Sequence, residues 1–161
     1  MSIIRSEELR GLLRFALDLE AQTVGDRLTL TLLEIYQIAG EADIGRYPDR
    51  AGQARRIKRP AKKISGETAG HWDLVPGVYW VTYNETVNIP DGAVLYLENH
   101  PALSENGVLQ ASRSILDWNE VSGTLLMVGA RGVRLAEGAP LSIGRIIRYD
   151  RFSKFPYVMC L

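Results

Sequence analysis

Apolar positions along the chain change their period twice. Near the N-terminus Leu9, Leu12, Leu13, Ala16 and Leu19 recur at helical spacing. Ser6 stands where it can cap such a helix, and Glu7 and Glu8 occupy the first turn, where the peptide dipoles favour negative charge. The spacing predicts a helix that runs to about Gly25, with Gly11 a mild weakness inside it. The period then falls to two: Leu28, Leu30 and Leu32 alternate with Thr29 and Thr31, which predicts a half-buried strand that Ile35, Tyr36 and Ile38 extend. Beyond Gly66 short apolar runs follow turn signals. Pro76-Gly77 precedes a run at 78–83, Pro90-Asp91-Gly92 one at 93–98, and Asn106-Gly107 one at 108–112. Ser122-Gly123 precedes 124–128, Gly132 precedes 133–135, and Gly138-Ala139-Pro140 precedes 141–149. Turns about every ten residues, with no second strong helix, predict a mainly β barrel or sandwich behind an N-terminal helix.

One stretch breaks this pattern. Arg46, Arg50, Arg55, Arg56, Lys58, Arg59, Lys62 and Lys63 crowd together with only Asp49 opposing them, and Pro48 and Pro60 punctuate the run. It reads as an exposed excursion, a loop or mobile arm. A solvated loop is one account of it; an electrostatic arm that reaches phosphates of a nucleotide or of nucleic acid is the other. Apart from Tyr47 it carries no interleaved aromatic residue, which weakens a single-strand-binding role. The expected organisation is therefore a single domain over 1–161: a helical segment at 1–24, the basic excursion at 46–66 and a β core at 74–150.

Composition narrows the chemistry. The 161 residues are 46% hydrophobic and 24% charged, as in a globular domain, and 19 basic residues balance 19 acidic ones. No apolar run approaches the length of a membrane helix. Met1-Ser2-Ile3-Ile4-Arg5 leads directly into Ser6-Glu7-Glu8 rather than a signal-peptide core, so a cytoplasmic protein is expected. The lone Cys160 cannot form an internal disulfide, and with only His71 and His100 a histidine-rich metal site is excluded. No P-loop, nucleophile elbow or H-E-x-x-H motif occurs.

Four stretches resemble the dUTPase and dCTP deaminase superfamily, most closely its small archaeal-type members. Glu34-Ile35-Tyr36 resembles the region after the family's N-terminal helix. Leu74-Val75-Pro76-Gly77-Val78-Tyr79-Trp80-Val81-Thr82-Tyr83-Asn84-Glu85-Thr86-Val87-Asn88-Ile89-Pro90 is similar to the run L-x-P-G-x-Y-x-V-x-x-N-E-x-V-x-I-P. Residues 112–123, with Asp117, sit where the family has an aspartate-bearing hairpin, and Gly132-Val133-Arg134-Leu135 with Gly138-Ala139 is similar to a late G-I-R-L strand and turn. The resemblance implies a dUTPase-like distorted β-barrel (β-clip) fold and a trimer with sites between subunits. It also implies a pyrimidine deoxynucleoside triphosphate bound through Mg²⁺.

In the hydrolases of that family an aspartate orients water toward the α-phosphorus and a P-R-S-S-L stretch holds the phosphates; metal and fixed donors offset the ligand's charge. Here the second stretch is Asn99-His100-Pro101-Ala102-Leu103-Ser104-Glu105, with His100 on the arginine's position and an added acid. Asp117 is the candidate water-orienting carboxylate; its alternative is a turn residue. Glu120 is a candidate metal ligand or a solvated hairpin-tip residue. Trp118 is a candidate to stack on a base or sugar or to pack, and Asn119 neighbours it as a polar contact. Asn99, His100 and Ser104 are candidate substrate contacts, Asn99 and His100 being turn formers otherwise, and Arg113 or part of the basic segment would replace the missing clamp. Tyr79, Trp80, Tyr83 and Tyr96 read as core or interface packing. The strand at 124–128 lacks the glutamate that the deaminases place there. The expectation is Mg²⁺-dependent hydrolysis of dUTP to dUMP and pyrophosphate. The alternatives are a non-catalytic paralogue serving as a binding or regulatory module and, third, a dCTP deaminase-like enzyme.

Overall fold

The period-two stretch becomes β4 (Arg27–Ala39), the strand around which the molecule is organised. The computed structural model describes residues 1–40, 55–63, 65–118 and 123–149. Leu28, Leu30 and Leu32 are fully buried, and then the phase shifts so that Ile35 is the next buried residue. The cause is a bulge: the register against β7 (Gly77–Tyr83) slips between Leu32 and Glu34, and the extra residue, Leu33, turns to solvent. The bulge lets one strand serve two halves of a curled sheet. Its first half pairs with β14 (Pro140–Arg148), Leu28 opposite Gly144; its second half pairs with β7, Ile35 opposite Val81.

Around β4 the order is β10 (Val108–Gln110), β12 (Thr124–Val128), β7, β4, β14, β9 (Ala93–Asn99) and β11 (Arg113–Ile115), all antiparallel. β10 and β11 are consecutive in the chain yet lie at opposite ends of the sheet, so Ala111 and Ser112 cross a seam where the curled sheet nearly closes. Leu28, Leu30, Ile35, Leu95, Leu126 and Ile146 meet inside with no exposed surface. Three strands extend the sheet: β1 (Ser2–Ile3) on β14, and β3 (Thr23–Val24) and β5 (Arg55–Arg59) on β4. Two small ribbons complete the shell: β13 (Val133–Ala136) on β6 (His71–Leu74), and β2 (Leu13–Arg14) on β8 (Thr86–Val87). This is the mainly β half-barrel that the turn spacing predicts.

Two local expectations change. The single helix expected before Gly25 is instead α1 (Ser6–Leu12) and α2 (Leu19–Gln22), separated by β2. Pairing overrides periodicity here: the Leu12 carbonyl accepts from Asn88 N–H at 2.8 Å, Leu13 lies opposite Val87, and Phe15 adopts a left-handed φ of 60°. Ser6 lies inside α1, whose cap position is Arg5 with no side-chain hydrogen bond. The basic excursion also differs, since Arg55–Arg59 is a strand, although Arg55 to Lys58 remain exposed. Its residues 46–54, with Tyr47, lie outside the described residues, as does Cys160.

Candidate functional site

After β9 the chain enters α3 (Pro101–Ser104), a single turn whose N-cap is His100. Pro101 fits the first helical position, which needs no N–H. The His100 Nδ1 accepts the Ala102 N–H at 3.2 Å, a bond that requires a lone pair on that nitrogen and hence a ring not protonated there. Burial pushes the His100 pKa below its usual value, against a smaller opposing pull from Glu105. Ser104 Oγ turns back to the carbonyls of Pro101 at 3.2 Å and His100 at 3.4 Å. Asn99 Nδ2 donates to the Val108 carbonyl at 3.0 Å, while its Oδ1 is buried without a partner among the described residues. A cleft of about 670 Å³ lies beside α3, lined by Leu103, Glu105, Gly129, Arg131, Arg134 and Pro140, among others.

The seam gathers a second group. Arg113 Nη1, on β11, donates to the Gly123 carbonyl at 2.7 Å and so clips one edge of the sheet to the start of β12. Between them the chain passes through exposed Asp117 and half-buried Trp118. The Trp118 ring lies 6.0 Å from that of Tyr83 at 44°. Beneath it are three buried side chains, Tyr83, Gln110 and Ser142. Gln110 Nε2 donates to Ser142 Oγ at 2.7 Å and to the Leu141 carbonyl. Tyr83 Oη meets Ser142 Oγ at 2.8 Å and donates to Gln110 Oε1 at 3.2 Å. With the Ser142 hydroxyl donating to the tyrosine oxygen, the three close a ring in which every proton is used. Burial raises the Tyr83 pKa, so the phenol stays protonated there.

The structure therefore places Asn99, His100 and Ser104 around α3, and Arg113, Asp117 and Trp118 at the seam; Asn119 and Glu120 lie outside the described residues. Of the aromatic set, Tyr79 and Tyr83 are buried, Trp80 is half-buried and Tyr96 is exposed. No group of three or more His, Cys, Asp or Glu side chains among the described residues could hold a metal, so these residues do not by themselves make a Mg²⁺ cage. Sequence reasoning missed Gln110 and Ser142. The available signal was a polar side chain at an inward position: Gln110 follows Val108 on the buried face of β10.

No family model matches the sequence, and neither does any curated protein. Among solved structures, the 2'-deoxycytidine 5'-triphosphate deaminase from Agrobacterium tumefaciens superposes with a TM-score of 0.58 at 15% identity. The match covers 89% of this chain and 48% of the deaminase, so the chain spans about half the neighbour's length. Among the described residues no helix is long and apolar enough to cross a membrane. The half-barrel therefore shares the fold of this deaminase.

Proposed function

We propose that the chain is a non-catalytic protein of this fold, a binding or regulatory module for a pyrimidine deoxynucleotide. The observation that carries this reading is His100. A triphosphate needs fixed positive charge beside it, and the position where an arginine is expected holds an imidazole spent as a helix cap and discharged by burial. Glu105, one turn on, lines the cleft beside α3, where it sets negative charge against Arg131 and against Arg134, itself paired with Asp73. Arg113, one candidate replacement for the clamp, already gives one of its N–H groups to the Gly123 carbonyl. Deamination lacks its carboxylate, because the inward positions on β12 are Thr124, Leu126 and Val128.

Self-association belongs to the same proposal. Leu109, Val78, Leu125 and Met127 stand 44–48% exposed on the outer face of β10, β12 and β7. The register sets them side by side: Leu109 opposite Met127, and Met127 opposite Val78. The strands are thus apolar on both faces, the pattern of strands covered on both sides, and a second copy supplies the cover.

The second reading is dUTP hydrolysis, favoured by the exposure of Asp117 at the end of β11, where a water-orienting carboxylate is expected. Thermal-shift titration with dUTP, dCTP, dTTP and their monophosphates, run beside product analysis with Mg²⁺, separates the two. The binding reading expects a stabilised protein and no product, since a ligand held only by the folded state raises its stability by mass action. Turnover of any nucleotide overturns it, and a flat response to all of them removes the nucleotide altogether.

A further inference from the structure

We propose that the outer edge of β5 is a docking site for an acidic, extended peptide segment, which it takes up as an added strand. This inference is independent of nucleotide binding and uses the one sequence feature that the site did not absorb. β5 reads Arg55, Arg56, Ile57, Lys58, Arg59 and pairs with β4 alone among the described residues. In an antiparallel pair every second residue turns its N–H and C=O away from the neighbour, so β5 presents a row of donors and acceptors to its open side. The Trp72 indole N–H takes the Arg59 carbonyl at 2.9 Å and marks where that open edge ends.

Charge selects the occupant. The strand carries four cations, and among the described residues Glu34, bound to Lys58, is the one carboxylate paired with any of them. Arg56 lies over the Trp80 ring at 3.6 Å and Arg59 donates to the amide oxygen of Gln37 at 3.0 Å, so among the described residues neither charge is compensated by an acid. Arg55 has no ion-pair partner among the described residues. Between the arginines Ile57 is 45% exposed, an apolar anchor on an otherwise charged edge. A second β5 would set like charges opposite one another, which is destabilising, whereas acidic residues flanking a branched apolar one find an opposite charge at each register position. Nucleic acid fits less well. Phosphates accept but cannot donate to exposed carbonyls, and the aromatic rings near this edge are engaged, Trp80 under Arg56, Tyr36 bonded to Glu34 and buried Trp72 bonded to the Arg59 carbonyl.

The test is fluorescence anisotropy of the full chain with a labelled peptide of core Glu-Glu-Val-Glu-Glu. Three probes run beside it: the Lys-Lys-Val-Lys-Lys analogue, the acidic peptide N-methylated at alternate amides, and oligothymidylate. The acidic peptide is expected to bind in a salt-sensitive manner and the other three to bind at least about tenfold more weakly. Arg55→Glu, an exposed change, should weaken binding about tenfold, and Arg55→Glu with Arg59→Glu should abolish it. Circular dichroism checks the fold; should the double variant unfold, the single one decides. Equal binding of the N-methylated peptide overturns strand addition, preference for oligothymidylate assigns the edge to nucleic acid instead, and no binding, or binding indifferent to Arg55→Glu, disposes of the site.

Discussion

Glu85 is 2% exposed, and its carboxyl group accepts three hydrogen bonds from two distant parts of the chain. Oε1 takes the Gln22 amide at 2.6 Å and the Thr31 hydroxyl at 2.5 Å, while Oε2 takes the Thr31 N–H at 2.7 Å. Glu85→Gln preserves shape but turns one acceptor into a donor. With the new NH₂ at Oε2 it confronts the Thr31 N–H. At Oε1 it confronts Gln22, which cannot flip to help because its own oxygen already accepts the Asp18 N–H at 2.9 Å. At least one bond to a buried acceptor is lost in either orientation, about 2 kcal/mol. Glu85→Ala strands all three donors and costs about 4 kcal/mol. For a chain of this length those losses lower Tm by about 4–8 °C and about 8–16 °C respectively. Urea unfolding followed by tryptophan emission measures both; the midpoint should fall with the slope unchanged. Thr31→Val supplies the second arm of a double-mutant cycle with Glu85→Gln, where a coupling of about 1 kcal/mol or more is expected. If Glu85→Gln stays within about 0.5 kcal/mol of the parent, or the coupling vanishes, the carboxyl group does not hold the N-terminal segment to β4.

Three further outcomes follow from the geometry. At Gly123, where φ is 142°, a Cβ would stand 2.4 Å from the Val81 carbonyl oxygen and 2.6 Å from the Trp80 indole nitrogen; Gly123→Ala should cost about 3 kcal/mol or more in the same unfolding assay. Stability should fall on acidification in two stages. His100, its pKa lowered by burial, opposes folding as pH drops below about 6.5, because the unfolded chain takes the proton first; His100→Gln should remove this stage. The second stage belongs to Glu34, held low by Lys58 and Tyr36, and to Asp73, held low by Arg134 and Lys62; their stabilisation is present above about pH 4.5 and pH 3.8 respectively and is lost below as each folded pKa is crossed. Finally, Met127→Lys places a charge in the exposed apolar row, and light scattering should show an assembled parent and a dissociated variant; an unchanged mass would clear this face of any role in assembly.

What could be read from the chain beforehand was whatever local chemistry decides. The alternation at Leu28, Leu30 and Leu32 specifies β4 because each side chain answers only to which face is wet. The turn at Gly132 was legible because a Cβ there would sit 2.6 Å from the Leu74 carbonyl oxygen, so the position admits little else. The helix expected before Gly25 failed where a distant partner intervened: Leu13 has the right spacing for a helix face, but Val87 claims it for a ribbon. β5 was unreadable for a related reason. Its cations promise exposure, and exposure is what they have, yet the backbone still finds β4, a pairing that side-chain polarity does not report. The Tyr83, Gln110 and Ser142 ring joins residues 27 to 59 positions apart, beyond the reach of any local pattern.

The two candidate clusters share one property that bears on function. Most of their polar groups are engaged within the fold: His100 and Ser104 by α3, and Tyr83, Gln110 and Ser142 by one another, while Arg113 gives one N–H to Gly123 and Asn99 Oδ1 has no partner among the described residues. A group that must release an internal partner before touching a ligand gives up part of each new bond, since hydrogen bonding is then an exchange rather than a gain. Recovery of a phosphate clamp at α3 therefore takes more than one change. His100→Arg brings charge but removes the acceptor for Ala102 N–H, and Glu105, near enough to act on residue 100, still opposes an anion there. An arginine at 100 becomes effective only with Glu105 neutralised, so the two substitutions should act cooperatively on nucleotide affinity, each alone yielding less than half the joint effect. Additive effects would mean that the charges around α3 act independently, and the argument from His100 to a lost clamp would fail with them.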